Sequence, residues 1–196
     1  MKKLSKTGFA LLATCCLFTA CNKTQPEQGF KTIAQESKVE RVKIIEIPAC
    51  KMIKSKEFRW ENSDSFSIMR EFWQKVASRH EDIFSRDFAG YNQKTRNFYW
   101  CFFALNNDIG KFDISGYEVI DFQGGYYATA TSIDNNSESF DQTFNEIKNW
   151  IEQTKSFELD LENRDRLTQM PIADNAEFKK AMGYEQLAIF IPIKIK

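Results

Sequence analysis

Residues 97–105 read NFYWCFFAL, a nearly continuous run of aromatic and apolar side chains. Alternation puts Phe98, Trp100 and Phe102 on one face of a strand and Tyr99, Cys101 and Phe103 on the other. Both faces are apolar, so both are expected to be covered, which makes this a central strand. Asn106, Asn107 and Asp108 then turn the chain. A second strand is predicted over 116–122 (GYEVIDF), and a third begins at 126–132 (YYATATS). Gly124 and Gly125 separate the two and read as a bend, since a lone glycine pair is a poor phosphate signal.

Working outward, residues 39–48 (VERVKIIEIP) form a strand ended by Pro48, and 50–58 continue extended. Ser63 and Asp64 are good helix caps. Behind them Phe66, Met69, Trp73, Val76, Ala77 and His80 recur at helical spacing, which predicts an amphipathic helix over 64–84 with His80 at the edge of its buried face. Asn136 and Ser137 cap a second helix, reaching about residue 155, with Phe140, Phe144, Ile147, Trp150 and Ile151 inward. Residues 157–161 (FELDL) look extended. Residues 163–183 are polar, with a short helix over 173–182, and 184–196 (YEQLAIFIPIKIK) form a closing strand. The order predicts an α+β domain of two pseudo-repeated halves, each a long helix on an antiparallel sheet. The halves repeat in pattern and not in letters.

The chain begins with a charged, then apolar, then small-residue segment. Lys2, Lys3 and Lys6 precede an apolar run over 8–18, followed by Thr19, Ala20 and Cys21. That order is a secretory signal, and the run is shorter than the about 20 residues a membrane span needs. Cys21 stands where a bacterial lipoprotein is cleaved and acylated, although Phe18 occupies the position where leucine is usual. The reading is a lipoprotein signal over 1–21, a polar flexible tether over 22–37 and one domain over 38–196. It puts the protein in the cell envelope, lipid-anchored to a membrane on its periplasmic or surface face.

The full chain of 196 residues carries 27 basic and 27 acidic side chains; without Lys2, Lys3 and Lys6 the basic count is 24. No basic stripe interrupts this balance, so a nucleic-acid partner is not expected. Of five cysteines, Cys50 and Cys101 remain after the signal and the lipidated residue. In an oxidising envelope they could pair; the alternative, and the favoured reading, is two buried thiols. With one histidine and no CxxC, neither a metal site nor a cofactor is implied. No GxSxG, HExxH or readable Cys–His motif occurs. Glu46, Glu57, Glu61, Glu118 and Asp121 lie near strand ends and read as solvated surface.

Four pieces in order resemble one family: VKIIEIPA at 42–49, GGYYA at 124–128, WIE at 150–152 and IFIPIK at 189–194. The chain is similar over residues 38–196 to the GyrI-like, or AraC-type, effector-binding domain found in bacterial transcription activators, of SOUL-like fold. The resemblance implies two halves with a cleft between them that binds hydrophobic, often cationic, small molecules. Some members of the family look like hydrolases. A family glutamate often precedes the closing Ile-Tyr-Leu-Pro-type stretch, and here Ala188 stands in its place. The resemblance therefore implies a fold and a cleft more securely than cation sensing or glutamate-based hydrolysis.

Alternation puts Ala188 and Phe190 on one face of the closing strand, and the resemblance turns that face to the cleft. Phe98, Trp100 and Phe102 are expected to line it from the first half and Tyr127 from the second, with Trp60 and Tyr184 as additions. Taken singly, each reads more readily as core; only as a set do they stand evenly between core and a ligand-facing cluster. Three readings follow, in order. The first is a lipid-anchored protein that holds a small hydrophobic molecule without catalysis. The second is a hydrolase-like enzyme using a displaced carboxylate or Tyr127 as acid. The third is a structural lipoprotein with a closed cleft that contacts envelope proteins. A homodimer would use a sheet edge or an exposed aromatic patch.

Overall fold

The computed structural model describes residues 31–35, 41–60, 65–76, 87–104, 114–170 and 176–196. The signal with Cys21, the second half of the first predicted helix with His80, and the turn at 106–108 lie outside these residues.

The chain runs β1 (Lys31–Gln35), β2 (Lys43–Ile47), β3 (Cys50–Lys54), α1 (Ser65–Lys75), β4 (Asp87–Asn92), β5 (Asn97–Ala104), β6 (Glu118–Phe122) and β7 (Gly125–Ile133). It continues α2 (Ser137–Gln153), β8 (Phe157–Leu159), β9 (Arg166–Gln169), α3 (Ala176–Met182) and β10 (Gln186–Ile195). The strands form one sheet in the order β1-β2-β7-β10-β9-β4-β5-β3-β6, with β8 paired to the end of β10. All these pairings are antiparallel. The α+β class is as the sequence implied. The run read as a central strand is one over Asn97–Ala104, between β4 and β3. Part of the stretch read as tether, Lys31–Gln35, is a strand paired to β2.

Two short links force the sheet to curl. Pro48 and Ala49 join β2 to β3, and Gln123 and Gly124 join β6 to β7. In each case the joined strands stand six places apart in the sheet order. In a flat sheet that is roughly 29 Å, whereas three Cα steps reach only about 10 Å. The two links therefore bring the flanks of the sheet together, and they touch. A β-carbon on Gly124 would lie 2.5 Å from both Ala49 N and Ile47 O. Gly124 also has φ of +68°, which a side chain would strain. The glycine pair is thus a bend where two backbones cross.

Helices α1 and α2 cover the outer face. On α2, Ile147, Trp150 and Ile151 pack on Ile44, Ala128, Ile189 and Ile191. Asn136 caps it, its side chain accepting from Ser139 N at 2.9 Å. The Arg166 guanidinium ties α2 to the sheet, lying 4.8 Å from the Tyr91 ring, 5.2 Å from Phe140 and 5.4 Å from Phe144. On α1, Phe72 and Val76 pack on Ile53 and Phe102. Here the predicted face is corrected. Phe72 is buried while Trp73 is 49% exposed. One residue step turns a helix by about 100°, so the Phe72–Val76 pair at i,i+4 takes the sheet and Trp73 faces water.

Candidate site on the inner face of the curled sheet

The inner face gathers Ile45 and Ile47 from β2, Met52 from β3, Phe88 from β4, Tyr99, Cys101 and Phe103 from β5, Tyr127 from β7, Leu167 from β9, and Ala188 and Phe190 from β10. Phe122 joins from β6, its ring stacked on Tyr127 at 6.5 Å. Strands from both flanks of the order thus share one apolar cluster, as the curl requires.

Two polar devices sit on this face. The first is built on Tyr99. Its ring lies across Gly90, its partner on β4, where a β-carbon would come within 2.1 Å of Cζ. The missing side chain lets the ring cross the strand, and the Tyr99 hydroxyl donates to Asp165 Oδ2 at 2.9 Å. Lys54 Nζ lies 4.4 Å from the centre of the same ring and pairs with Glu57 at 3.5 Å. Glu57 also accepts from Thr95 Oγ1 at 2.7 Å, Asn92 Nδ2 at 2.8 Å and Asn97 Nδ2 at 3.3 Å. Burial alone would push its carboxyl up, but these hydrogen bonds and the Lys54 charge hold it below the ordinary range. Glu57 is therefore an anchor for the β4–β5 turn and not the solvated charge the sequence implied.

The second device is Arg164. Its Nε donates to Asp160 Oδ2 at 2.8 Å and Nη1 to Gly124 O at 3.0 Å; Nη2 donates to Ile193 O. Its guanidinium lies 5.2 Å from the centre of the Tyr127 ring. Asn163 Nδ2 donates to the other Asp160 oxygen at 2.6 Å. One side chain thus latches the β6–β7 crossing to β10 and to its own turn.

Tyr127 itself is fully buried, and its hydroxyl has no hydrogen-bond partner among the described residues. Burial raises its proton affinity, as it does for Tyr99 and Cys101, and pushes the Cys50 thiol up to about 12. Asp165 is likewise raised by burial, against the opposing pull of the Tyr99 hydrogen bond and Lys54. Near neutral pH the thiols and phenols of this face keep their protons.

The six residues expected to line one surface divide between two. Tyr127, Ala188 and Phe190 share the inner face. Phe102 is buried under α1 with Trp100 packed beside it, and Phe98 belongs to the same outer side. Around Phe98 and Trp100 the rings of Phe58 and Trp60 gather at 5.6–6.4 Å, with Trp60 47% exposed. The alternation was correct; what it could not supply was which parity faces the helix. The inner residues of β5 are Tyr99, Cys101 and Phe103. Gly90 and Asp165 were missed altogether, and only the glycine inside a strand could have signalled a close approach.

Cys50 and Cys101 are free thiols. Cys101 faces Lys54 across the β3–β5 ladder, and Cys50 lies four residues further along, roughly 13 Å away. That exceeds disulfide reach. Among the described residues no group of three His, Cys, Asp or Glu side chains is placed to hold a metal, and no helix is long and apolar enough to cross a membrane.

No family model matches the chain, and no curated protein matches it. Among solved structures it is similar to SAV2435 bound to tetraphenylphosphonium, at 12% identity over 78% of this chain and 93% of that one, with a TM-score of 0.47. A Staphylococcus aureus MU50 protein described as a bacterial transcription regulation protein aligns at 10% identity over 78% and 97%, TM-score 0.45. An integron cassette protein from the mobile metagenome of Vibrio cholerae aligns at 14% identity over 79% and 97%, TM-score 0.44.

Proposed function

We propose that this protein is a lipid-anchored envelope protein that holds a small apolar molecule against the inner face of its curled sheet, by capture and not by chemistry. The observation that carries the proposal is the Tyr127 hydroxyl, buried without a partner among the described residues in a largely apolar cluster. A buried polar group left unpaired costs about 1–3 kcal/mol, and in native proteins such groups call for an explanation. A bound molecule that pairs with it would supply one. Ala188 and Phe190 flank the same face from β10.

The two-halved reading of the fold is supported by connectivity. The segment β3-α1-β4-β5 runs strand, helix, strand, strand, and so does β7-α2-β9-β10 once the short β8 and α3, inserted before and after β9, are set aside. In each the last strand lies between the first and the second, and β4 meets β9 where the halves join. Capture is favoured over chemistry that needs a thiolate or phenolate, because the thiols and phenols of the inner face are all held protonated by burial. A nucleophile or base needs the opposite shift. The near-complete burial of Tyr127 and Phe190 favours one competing reading, a closed lipoprotein that works through its outer surface.

Binding of N-phenyl-1-naphthylamine to the mature chain separates the two. Ala188→Leu adds volume to the inner face and is expected to weaken the probe at least about tenfold, a loss of roughly 1.4 kcal/mol, while Trp73→Ala has no effect. Absence of binding, or a response to Trp73 alone, supports the closed reading. The anchor rests on residues 1–21 and is tested by metabolic palmitate labelling, which Cys21→Ala should abolish.

A further inference from the structure

The proposed site also carries information on what kind of molecule fits it. Resting on that reading, we infer that the ligand is an uncharged molecule with an apolar body and one carbonyl-type oxygen, which accepts a hydrogen bond from the Tyr127 hydroxyl.

Among the described residues, the hydroxyl is the one orphaned group of the inner cluster, and its side chain is wholly buried. A phenol donates better than it accepts, because its oxygen lone pairs are delocalised into the ring. Two features strengthen that bias here. Burial keeps the proton on the oxygen, and the Arg164 guanidinium 5.2 Å from the ring centre draws electron density from it. A ligand acceptor therefore satisfies Tyr127 better than a ligand donor does.

Charge on the ligand is disfavoured in both directions. A cation beside Tyr127 would meet Arg164 at close range. The nearby carboxylates are already committed, Asp165 to the Tyr99 hydroxyl and Asp160 to Arg164 and Asn163. An anion would have to compete on Arg164 with Asp160, Gly124 O and Ile193 O, which already take three of its five N–H groups and, through Asp160, its charge. Burying an uncompensated charge costs far more than burying a paired carbonyl. Phe122, stacked on Tyr127, and Phe190 provide the apolar wall.

The test uses three probes of one shape on the mature chain: 2-acetylnaphthalene, 2-isopropenylnaphthalene and the trimethyl(2-naphthyl)ammonium cation. The ketone and the alkene differ mainly in the acceptor. The ratio of their affinities is expected to fall roughly three- to tenfold in Tyr127→Phe, the range of one hydrogen bond, with the cation weakest in both proteins. In the wild-type protein the carbonyl stretch of bound 2-acetylnaphthalene should move below its value in hexane, a readout that needs no variant. If ketone and alkene bind but their ratio is the same in both proteins and the stretch does not move, the inference about the acceptor fails while the site stands. Tightest binding of the cation also overturns it. If no probe binds, the site and the inference fail together.

Discussion

The ring of Tyr99 occupies the space that a side chain on Gly90 would need, with only 2.1 Å between Tyr99 Cζ and the place of the missing β-carbon. This contact carries the hydroxyl of a β5 residue over β4 to Asp165, the residue just before β9. The junction between the β3–β5 and β7–β10 parts of the sheet is thereby pinned by a glycine, a ring and a carboxylate. Gly90→Ala is expected to displace the ring and destabilise the domain by about 1–3 kcal/mol, the usual cost of overpacking. Urea unfolding of the variant measures it. A loss below about 0.5 kcal/mol would mean the ring moves freely.

Asp165 contributes with the opposite sign to most carboxylates. Its folded proton affinity is raised, chiefly by burial, so the unfolded chain releases this proton more readily than the folded one. Its ionisation therefore opposes folding as pH rises through the unfolded carboxylate range, and the penalty is relieved as pH falls. Asp165→Asn keeps an oxygen for Tyr99 and removes the charge. It is expected to be more stable than wild type at pH 7, with the difference shrinking towards pH 4.

Glu57 behaves in the ordinary direction. Despite burial, its hydrogen bonds from Thr95, Asn92 and Asn97 and the Lys54 charge hold its carboxyl low. The stability it adds is present above the unfolded value, near 4.3, and is lost as pH falls through the folded value. Glu57→Gln should flatten the acid limb of the stability curve and leave the limb above pH 6 with a constant offset. Thermal melts from pH 7 to pH 3 read both.

Arg164 holds the crossing of the two links. Arg164→Met removes the partner of Asp160 and the donors to Gly124 O and Ile193 O. Breaking such a buried pair from one side costs about 3–5 kcal/mol. Adding Asp160→Asn should recover part of that, because the stranded charge is gone. A double variant no more stable than the single one would assign the cost to the carbonyls alone.

Tyr127→Phe is expected to leave the ligand-free domain at least as stable as wild type, since it removes an unpaired hydroxyl and keeps the ring against Phe122. Chemical denaturation without added probe measures it. A loss above about 1 kcal/mol would mean that the hydroxyl already has a partner.

Much of the architecture was legible locally. The cap at Asn136, the inward face of α2 and the alternation of β5 depend on neighbours within a few residues, and the structure has them as expected. β4 and β9 were not visible. DFAGYN and RLTQ are polar or glycine-containing, and they are strands because long-range partners flank them on both sides. The site was half legible for the same reason. Alternation grouped Phe98, Trp100 and Phe102 together, but only the packing of Phe72 and Val76 assigns that group to the helix side. The choice of Trp73 over Phe72 as an inward residue failed by a single step of helix rotation.

The central claim is that the inner face receives a small apolar molecule. Isotope-edited nuclear Overhauser contacts between 2-acetylnaphthalene and the selectively labelled wild-type protein test it most directly. Contacts from the probe to the Ala188 methyl and to the Tyr127 and Phe190 rings are the expected result. Contacts confined to Trp60 and Trp73, or none at saturating probe, would contradict it and turn attention to the outer aromatic surface.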